Sequence, residues 1–231
     1  AEQMGLKGIG YQTSLLFTDK YKMYCAAKSA GVHVPPFARA ESFGQAAKQL
    51  LRIGTPAVIK PCDSSGSRGV HRIDRVEQLE EYFEDSIRYS GTHAVVIEAF
   101  IQGREYLVDG FALDGKYRNL DLGIKEYFEK EGTYISKMCM FSSAALIDHP
   151  VERQGLGLDF GITHGEYIYS KEDGRVYLVE IAARGGGVYL SSDLTPKACG
   201  IHTNEMLLDY LLDGTVTDLD TLRLERKVSA W

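Results

Sequence analysis

HGEYIYSKEDGRVYLVEIAAR, residues 164–184, reads as two strands joined by a tight polar loop. Taking Glu172-Asp173-Gly174 as a three-residue loop, with Gly174 in the left-handed region, pairs Lys171 with Arg175. Counting back along both strands then sets Glu166 opposite Glu180. Like charges directly opposed weaken a sheet. Two arrangements relieve the conflict: both carboxylates point to water on a solvated edge, or a divalent cation lies between them. Hard carboxylate oxygens suit Mg²⁺, which is usually held by one or two carboxylates together with nucleotide phosphates. The hairpin alone gives the two arrangements equal weight. The apolar neighbours Val179 and Ile181 favour a functional pair.

Working outward, Ala57-Val58-Ile59 forms a short apolar strand that runs into Lys60, placing an amine near the carboxyl edge of a sheet. A lysine at a strand end often only snorkels to water. The following loop, Asp63-Ser64-Ser65-Gly66-Ser67-Arg68-Gly69, offers small residues, free backbone N–H groups and hydroxyls, which can grip phosphate oxygens. Such loops are also commonly plain turns. Glu98-Ala99-Phe100-Ile101 leaves a buried strand and forms a natural link between two lobes, where backbone groups can read a base edge and Glu105 can accept ribose hydroxyls; a plain connection is the simpler reading. Arg184 precedes Gly185-Gly186-Gly187, so its guanidinium stands beside nearly bare backbone and can clamp an anion, although three glycines can equally serve a sharp turn. Lys125 and Lys137 are further cations that each read individually as solvated, and His164, sharing a strand face with Glu166, reads either as a group that orients a ligand or as a partly buried histidine.

The remaining pattern is α+β rather than regular βαβ. Helices are expected over 19–30, 41–53 and 204–212, with a further amphipathic helix capped by Asp74 and running to Tyr89. Strands are expected over 57–59, 70–73, 94–98 and around 134–141. Asp114-Gly115 is a two-residue turn joining strands 105–113 and 116–124. The chain has 231 residues, 44% of them apolar and 25% charged, with a formal charge of −6. That balance, without a Lys/Arg stripe, argues against a nucleic-acid surface. Cys25, Cys62, Cys139 and Cys199 form no CxxC pair, which fits a reducing, cytoplasmic setting. No apolar run is long enough to span a membrane. The opening AEQMGL reads as the tail of a helix, so the chain is expected to be a piece of a longer protein.

Together these segments resemble the ATP-grasp superfamily of carboxylate ligases, in the branch similar to carbamoyl-phosphate-synthase-like and amino-acid ligases. The resemblance runs in order through Asp19-Lys20, Val58-Ile59-Lys60-Pro61, Ser65-Gly66-Ser67-Arg68-Gly69-Val70, Glu98 to Glu105, His164-Gly165-Glu166 and Glu180 to Gly187. It implies two α+β subdomains, at 19–100 and 101–214, with ATP in the cleft between them. Residues 1–18 would be a remnant or linker and 215–231 an extension. It implies further that Lys20 and Lys60 contact ATP phosphates, that Ser65, Gly66, Ser67 and Gly69 cover them, and that Glu98, Ala99, Phe100 and Ile101 hold adenine. Glu105 would bind ribose, Glu166 and Glu180 would bind Mg²⁺ (with Mn²⁺ as an alternative), and Arg184 would hold the transferred phosphate, sharing the catalytic role with Lys60. An amino-terminal domain that helps bind substrate is expected outside this chain.

The resemblance points to an ADP-forming ligase that joins a small-molecule carboxylate to an amine through an acyl-phosphate. A non-catalytic ATP-binding module and an ATP-dependent carboxylase or carbamoyl-phosphate-type enzyme are the alternatives. Two departures stand out: Ala182 where related proteins often carry Asn, and a short connection over 147–161. Specificity is expected to lie in the absent domain and in residues 127–141. A homodimer is compatible with all of this.

Overall fold

The structure, a computed structural model, describes residues 2–127, 136–143, 158, 160–187, 189–215 and 217–230. Most of the 147–161 connection, most of the 127–141 loop and the side chain of Lys137 lie outside the described residues.

Two antiparallel sheets organise the chain. The first contains β1 (Phe37–Ala40), β2 (Ala57–Pro61), β3 (His71–Ile73) and β4 (Val95–Ala99) in the order β1-β4-β2-β3. The second contains β5 (Gly103–Leu113), β6 (Lys116–Tyr127), β7 (Ser136–Ser143), β8 (Phe160–Ser170), β9 (Val176–Ala182) and β10 (Val228–Ala230) in the order β10-β7-β6-β5-β8-β9. The helices are α1 (Tyr11–Leu16), α2 (Lys20–Ser29), α3 (Phe43–Ile53), α4 (Leu79–Arg88), α5 (Thr195–Cys199) and α6 (Thr203–Asp213). A π-turn, Leu190–Leu194, leads into α5.

Local chemistry explains the boundaries. Asp19 caps α2 by accepting the Lys22 N–H at 3.0 Å, and Ser42 caps α3 through the Gln45 N–H. Gly54, at φ 88, ends α3 in a conformation that suits glycine. Asp74 does not cap the next helix. Arg72 takes its carboxylate at 2.8 Å, a 3₁₀ turn (Val76–Gln78) intervenes, and the Gln78 side chain accepts the N–H groups of Asp74 and Arg75 instead.

α3 and α4 bury Leu50, Leu79 and Phe83 against Ile59, Ile73, Val95 and Ile97 of the first sheet. Each such side chain stabilises the fold by roughly 1.5–3 kcal/mol. A second cluster joins the two sheets: Met23, Tyr24 and Ala27 of α2 pack with Val96 from one sheet and Val108, Tyr167, Leu178 and Ile181 from the other. α2 is therefore the strut that holds the sheets around the space between them.

The hairpin over residues 164–184 has Glu166 opposite Glu180, as its sequence predicts, but reaches that register by a different route. The loop spans 171–174: the Ser170 N–H donates to Arg175 O at 2.9 Å, and the ladder starts at Tyr169 and Val176, one step out of the expected register. A β-bulge then leaves Val179 without a cross-strand partner and restores the facing pair beyond it.

Candidate active site

Between the sheets lies a cavity of about 560 Å³. Helix α2 supplies Lys20 to the cavity wall; the first sheet and its loops supply Lys60, Ser64, Ser67, Arg68, Glu98 and Ala99; the connection supplies Phe100 and Ile101; the second sheet supplies Glu105, Lys125, Glu166, Val179 and Glu180. Ten of the residues singled out from sequence thus converge on one space: Lys20, Lys60, Ser67, Glu98, Ala99, Phe100, Ile101, Glu105, Glu166 and Glu180.

Lys60 does not snorkel. It is 3% exposed. Its Nζ lies 3.0 Å and 2.9 Å from the two carboxylate oxygens of Glu98, donates to Tyr24 Oη at 2.8 Å and reaches Val179 O at 3.4 Å. Lys60 and Glu98 are diagonal neighbours on adjacent strands, since Lys60 pairs with Val96 and Val58 with Glu98. The bulge accounts for Val179, whose carbonyl, displaced from the ladder, also accepts the Tyr24 hydroxyl at 2.9 Å. Burial pushes the Tyr24 phenol well up, and the charge of Glu98 adds to the effect, so Tyr24 stays a neutral donor. Residues 98–101 were expected to face a base; the structure also gives the Glu98 carboxylate a structural partner in Lys60.

Lys20, 7% exposed at the start of α2, donates to Ser64 O and approaches Glu180 Oε1 at 3.4 Å. The loop that follows β2 is anchored at both ends. Asp63 accepts from the Ser90 hydroxyl and from the N–H groups of Gly91 and Thr92. Gly69 O accepts the buried Ser86 hydroxyl, and a Cβ on Gly69 would lie 2.9 Å from the Tyr89 ring and 3.1 Å from Ser86 Cα. Gly69 therefore anchors the loop and does not line the cavity. Ser65 and Gly66 are exposed and also lie outside its wall, whereas Ser64 and Arg68 belong to it. Ser64 Oγ is buried with no hydrogen-bond partner among the described residues. An unpaired hydroxyl of this kind is costly, and it fits an acceptor-rich ligand entering beside Lys20 and Lys60.

On the second sheet, Glu105, Lys125, Glu166 and Glu180 share one face. Lys125 Nζ lies 3.2 Å from Glu105 Oε1 and 3.5 Å from Glu166 Oε1. Glu166 and Glu180 are half-buried, face one another and each carry a lysine at ion-pair distance. Among the described residues, no group of three or more His, Cys, Asp or Glu is placed to hold a metal ion by itself. Two facing carboxylates without a third protein donor fit a hard cation that brings further oxygen ligands, as Mg²⁺ does with phosphates. Ala182 faces His164 and supplies no donor.

Arg184 is exposed just past β9, donates to Gly185 O at 2.7 Å and is not part of the cavity wall. Two of the three glycines after it are required by close packing: a Cβ on Gly185 would lie 2.0 Å from Ser191 Oγ, and one on Gly186 would lie 2.6 Å from Leu190. His164 Nδ1 lies 3.0 Å from Asp109 Oδ1. Burial lowers the imidazole's proton affinity, but the Asp109 hydrogen bond and charge, with Glu166, outweigh it and raise the pKa.

Beyond His164, the same face carries Asp109 opposite Asp121, 1% and 0% exposed. Burial pushes the Asp121 carboxyl well above the usual carboxylate range, and the charge of Asp109 pushes it further. Because the folded-state pKa is raised, this contribution favours the fold at low pH and is lost as pH rises from the unfolded carboxylate range through the folded value. Asp121→Asn keeps an acceptor for the Asp109 N–H and removes the charge. It is expected to raise the melting temperature clearly at neutral pH and by little at pH 4; equal melting-temperature differences at both pH values would show that Asp121 carries no such penalty.

Sequence reasoning passed over Tyr24, took Ser64 only as part of its loop, and read Lys125 as a solvated lysine. For Lys125 the missing signal is a bulge. Counting from the Asp114-Gly115 turn pairs Glu105 with Ile124, but the register shift after Asn119 and Gly110 moves every later pair by one and brings Lys125 onto the face of Glu105.

Two antiparallel sheets enclosing a cavity lined by buried ammonium groups, a serine-rich loop and facing carboxylates define a two-lobed α+β fold whose cavity suits an anionic ligand. The chain belongs to the ATP-grasp domain family, which matches residues 53–192. It is similar to alanine–anticapsin ligase of Bacillus subtilis, at 28% identity over 98% of this chain and 53% of that protein. The fold is similar to that of the L-amino acid ligase from Bacillus licheniformis, with a TM-score of 0.72 at 22% identity, covering 92% of this chain and 52% of that one. It is also similar to the biotin carboxylase domain of Hydrogenobacter thermophilus 2-oxoglutarate carboxylase, solved with MgADP, ADP and bicarbonate, with a TM-score of 0.78 at 17% identity, covering 99% of this chain and 53% of that one. The chain thus spans about half the length of the relatives it matches. No helix among the described residues is long and apolar enough to cross a membrane.

Proposed function

We propose that this chain binds Mg-ATP between its two sheets and forms the nucleotide site of an ADP-forming carboxylate–amine ligase. The observation that carries the reading is the facing pair Glu166 and Glu180 on the wall of a cavity whose opposite wall presents Lys20, Lys60 and the unpaired Ser64 hydroxyl.

In this reading Lys20 and Lys60 neutralise phosphate oxygens, and Ser64 with the loop Ser65-Gly66-Ser67 covers them. Residues 98–101 hold adenine, Glu105 the ribose, and Glu166 and Glu180 the metal. Mg²⁺, or Mn²⁺ on the same donors, would supply charge neutralisation at the phosphates. A substrate carboxylate oxygen attacks the γ-phosphorus and ADP leaves, giving an acyl-phosphate. An amine nitrogen then attacks the acyl carbon, phosphate leaves, and the nitrogen loses a proton. Catalysis of this kind rests on positioning and electrostatics; no protein nucleophile takes part. Arg184, at the end of the strand that carries Glu180, would receive the anionic intermediate once the rest of the protein and the substrates are in place. The carboxylate and amine are bound in part by residues outside this chain.

Calorimetric titration with Mg-ATP, followed by ADP-release assays of the intact protein over candidate acids and amines, tests the reading. Binding together with ADP release that depends on both an acid and an amine is the expected result. ADP release stimulated by bicarbonate alone would favour a carboxylase. Binding without turnover for any pair would favour a non-catalytic module, and absence of Mg-ATP binding would sink the assignment.

A further inference from the structure

Lys125 stands out because nothing in the reaction above requires it, yet it is placed at the centre of the charged face. Its side chain is 17% exposed, between Glu105 at 19% and Glu166 at 28%. Glu105 faces Ile168 and Leu107 faces Glu166, so Glu105 and Glu166 are diagonal neighbours on adjacent strands, and one ammonium bridges both. Lys20 does the same for Glu180 from the other wall. Three carboxylates and two ammonium groups leave this cluster with a net charge of about −1, and both facing carboxylates are already engaged by a protein cation.

Resting on the nucleotide reading, we propose that Lys125 is a positioning residue that keeps a bare divalent cation off Glu166 and lets the metal enter only with a polyphosphate. A free cation must displace an ammonium held at salt-bridge distance in a partly desolvated cleft, where such attraction is stronger than in water. A nucleotide changes the balance, because its phosphate oxygens compete for the ammonium groups and release carboxylate oxygens to the metal. The bulge after Asn119 is what puts Lys125 in this position: without it the side chain would point to the other face of the sheet.

The test uses Mn²⁺ as the probe, titrated alone and monitored by the electron paramagnetic resonance of the free ion, on wild type, Lys125→Met and Lys125→Arg. Lys125→Met is expected to bind Mn²⁺ alone about tenfold more tightly or better. Lys125→Arg keeps the charge and is expected to match wild type, an outcome that a merely structural role would not produce. Adding ADP should raise the Mn²⁺ affinity of wild type more than that of Lys125→Met. Equal Mn²⁺ affinity in wild type and Lys125→Met, or Lys125→Arg behaving as Lys125→Met, overturns the proposal. Should Lys125→Met fail to fold, Lys125→Gln provides the same comparison with a polar tip of similar reach. The two readings fail separately: loss of nucleotide binding in wild type would sink the Mg-ATP site itself, whereas intact nucleotide binding with coincident Mn²⁺ titrations would sink only the role of Lys125.

Discussion

Lys60→Met is expected to abolish Mg-ATP binding and to cost about 3–5 kcal/mol of stability, because removing one partner strands the other in a buried ion pair. The Lys60 and Glu98 side chains are 4% and 7% exposed, too dry for water to replace the lost ammonium. The same Nζ also serves Tyr24 and the bulged Val179 carbonyl, so the substitution removes a link between the two sheets as well as a charge. The diagnostic variant is the double one. Lys60→Met with Glu98→Gln leaves no uncompensated charge, and most of the lost stability should return in a denaturant titration. Nucleotide affinity should not return, since the charge proposed to face the phosphates is still absent. A double variant that binds Mg-ATP as tightly as wild type would make Lys60 a structural lysine only and would remove it from the proposed mechanism.

The separation of these two roles bears on what could be read without coordinates. The strand ending at Lys60 was legible because Ala57, Val58 and Ile59 are a continuous apolar run bounded by turn residues. What Lys60 touches was not, because Tyr24 comes from a helix and Val179 from the other sheet. β1 escaped notice for a different reason: its inward residues are Ala38 and Ala40, which fill space beside β4 but have little strand preference. The start of β8 and the π-turn were hidden by glycines at 161 and 185–187, which read as loop; Gly161 instead takes a φ of 123, and Gly185 and Gly186 let Ser191 and Leu190 approach the backbone closely. The facing pair Glu166 and Glu180 was found by a count containing two errors of opposite sign, a loop one residue too short and an unseen bulge. Registers counted from a turn hold only as far as the first bulge; on β6 the same omission concealed Lys125.

Glu180→Gln is expected to lower Mg-dependent nucleotide affinity by about 10–100-fold and ADP release by the intact protein by on the order of 10²–10³, with almost no change in stability. The stability part follows from exposure. The Glu180 side chain is 36% exposed, and its 3.4 Å approach to Lys20 is an ion pair of the kind typically worth ~0–1 kcal/mol. Losing it is offset by relief of the repulsion from Glu166 directly across the ladder. The affinity part follows from donor chemistry: an amide oxygen in place of a carboxylate halves the negative charge offered by the facing pair. Lys20 keeps its bond to Ser64 O, so the wall proposed to face the phosphates stays in place. Nucleotide binding measured in EDTA should therefore be the same in wild type and variant, and the two should diverge only as Mg²⁺ is added. If wild type binds ATP equally well in EDTA and in Mg²⁺, the facing carboxylates hold no metal and are the solvated pair that their hairpin alone would equally allow.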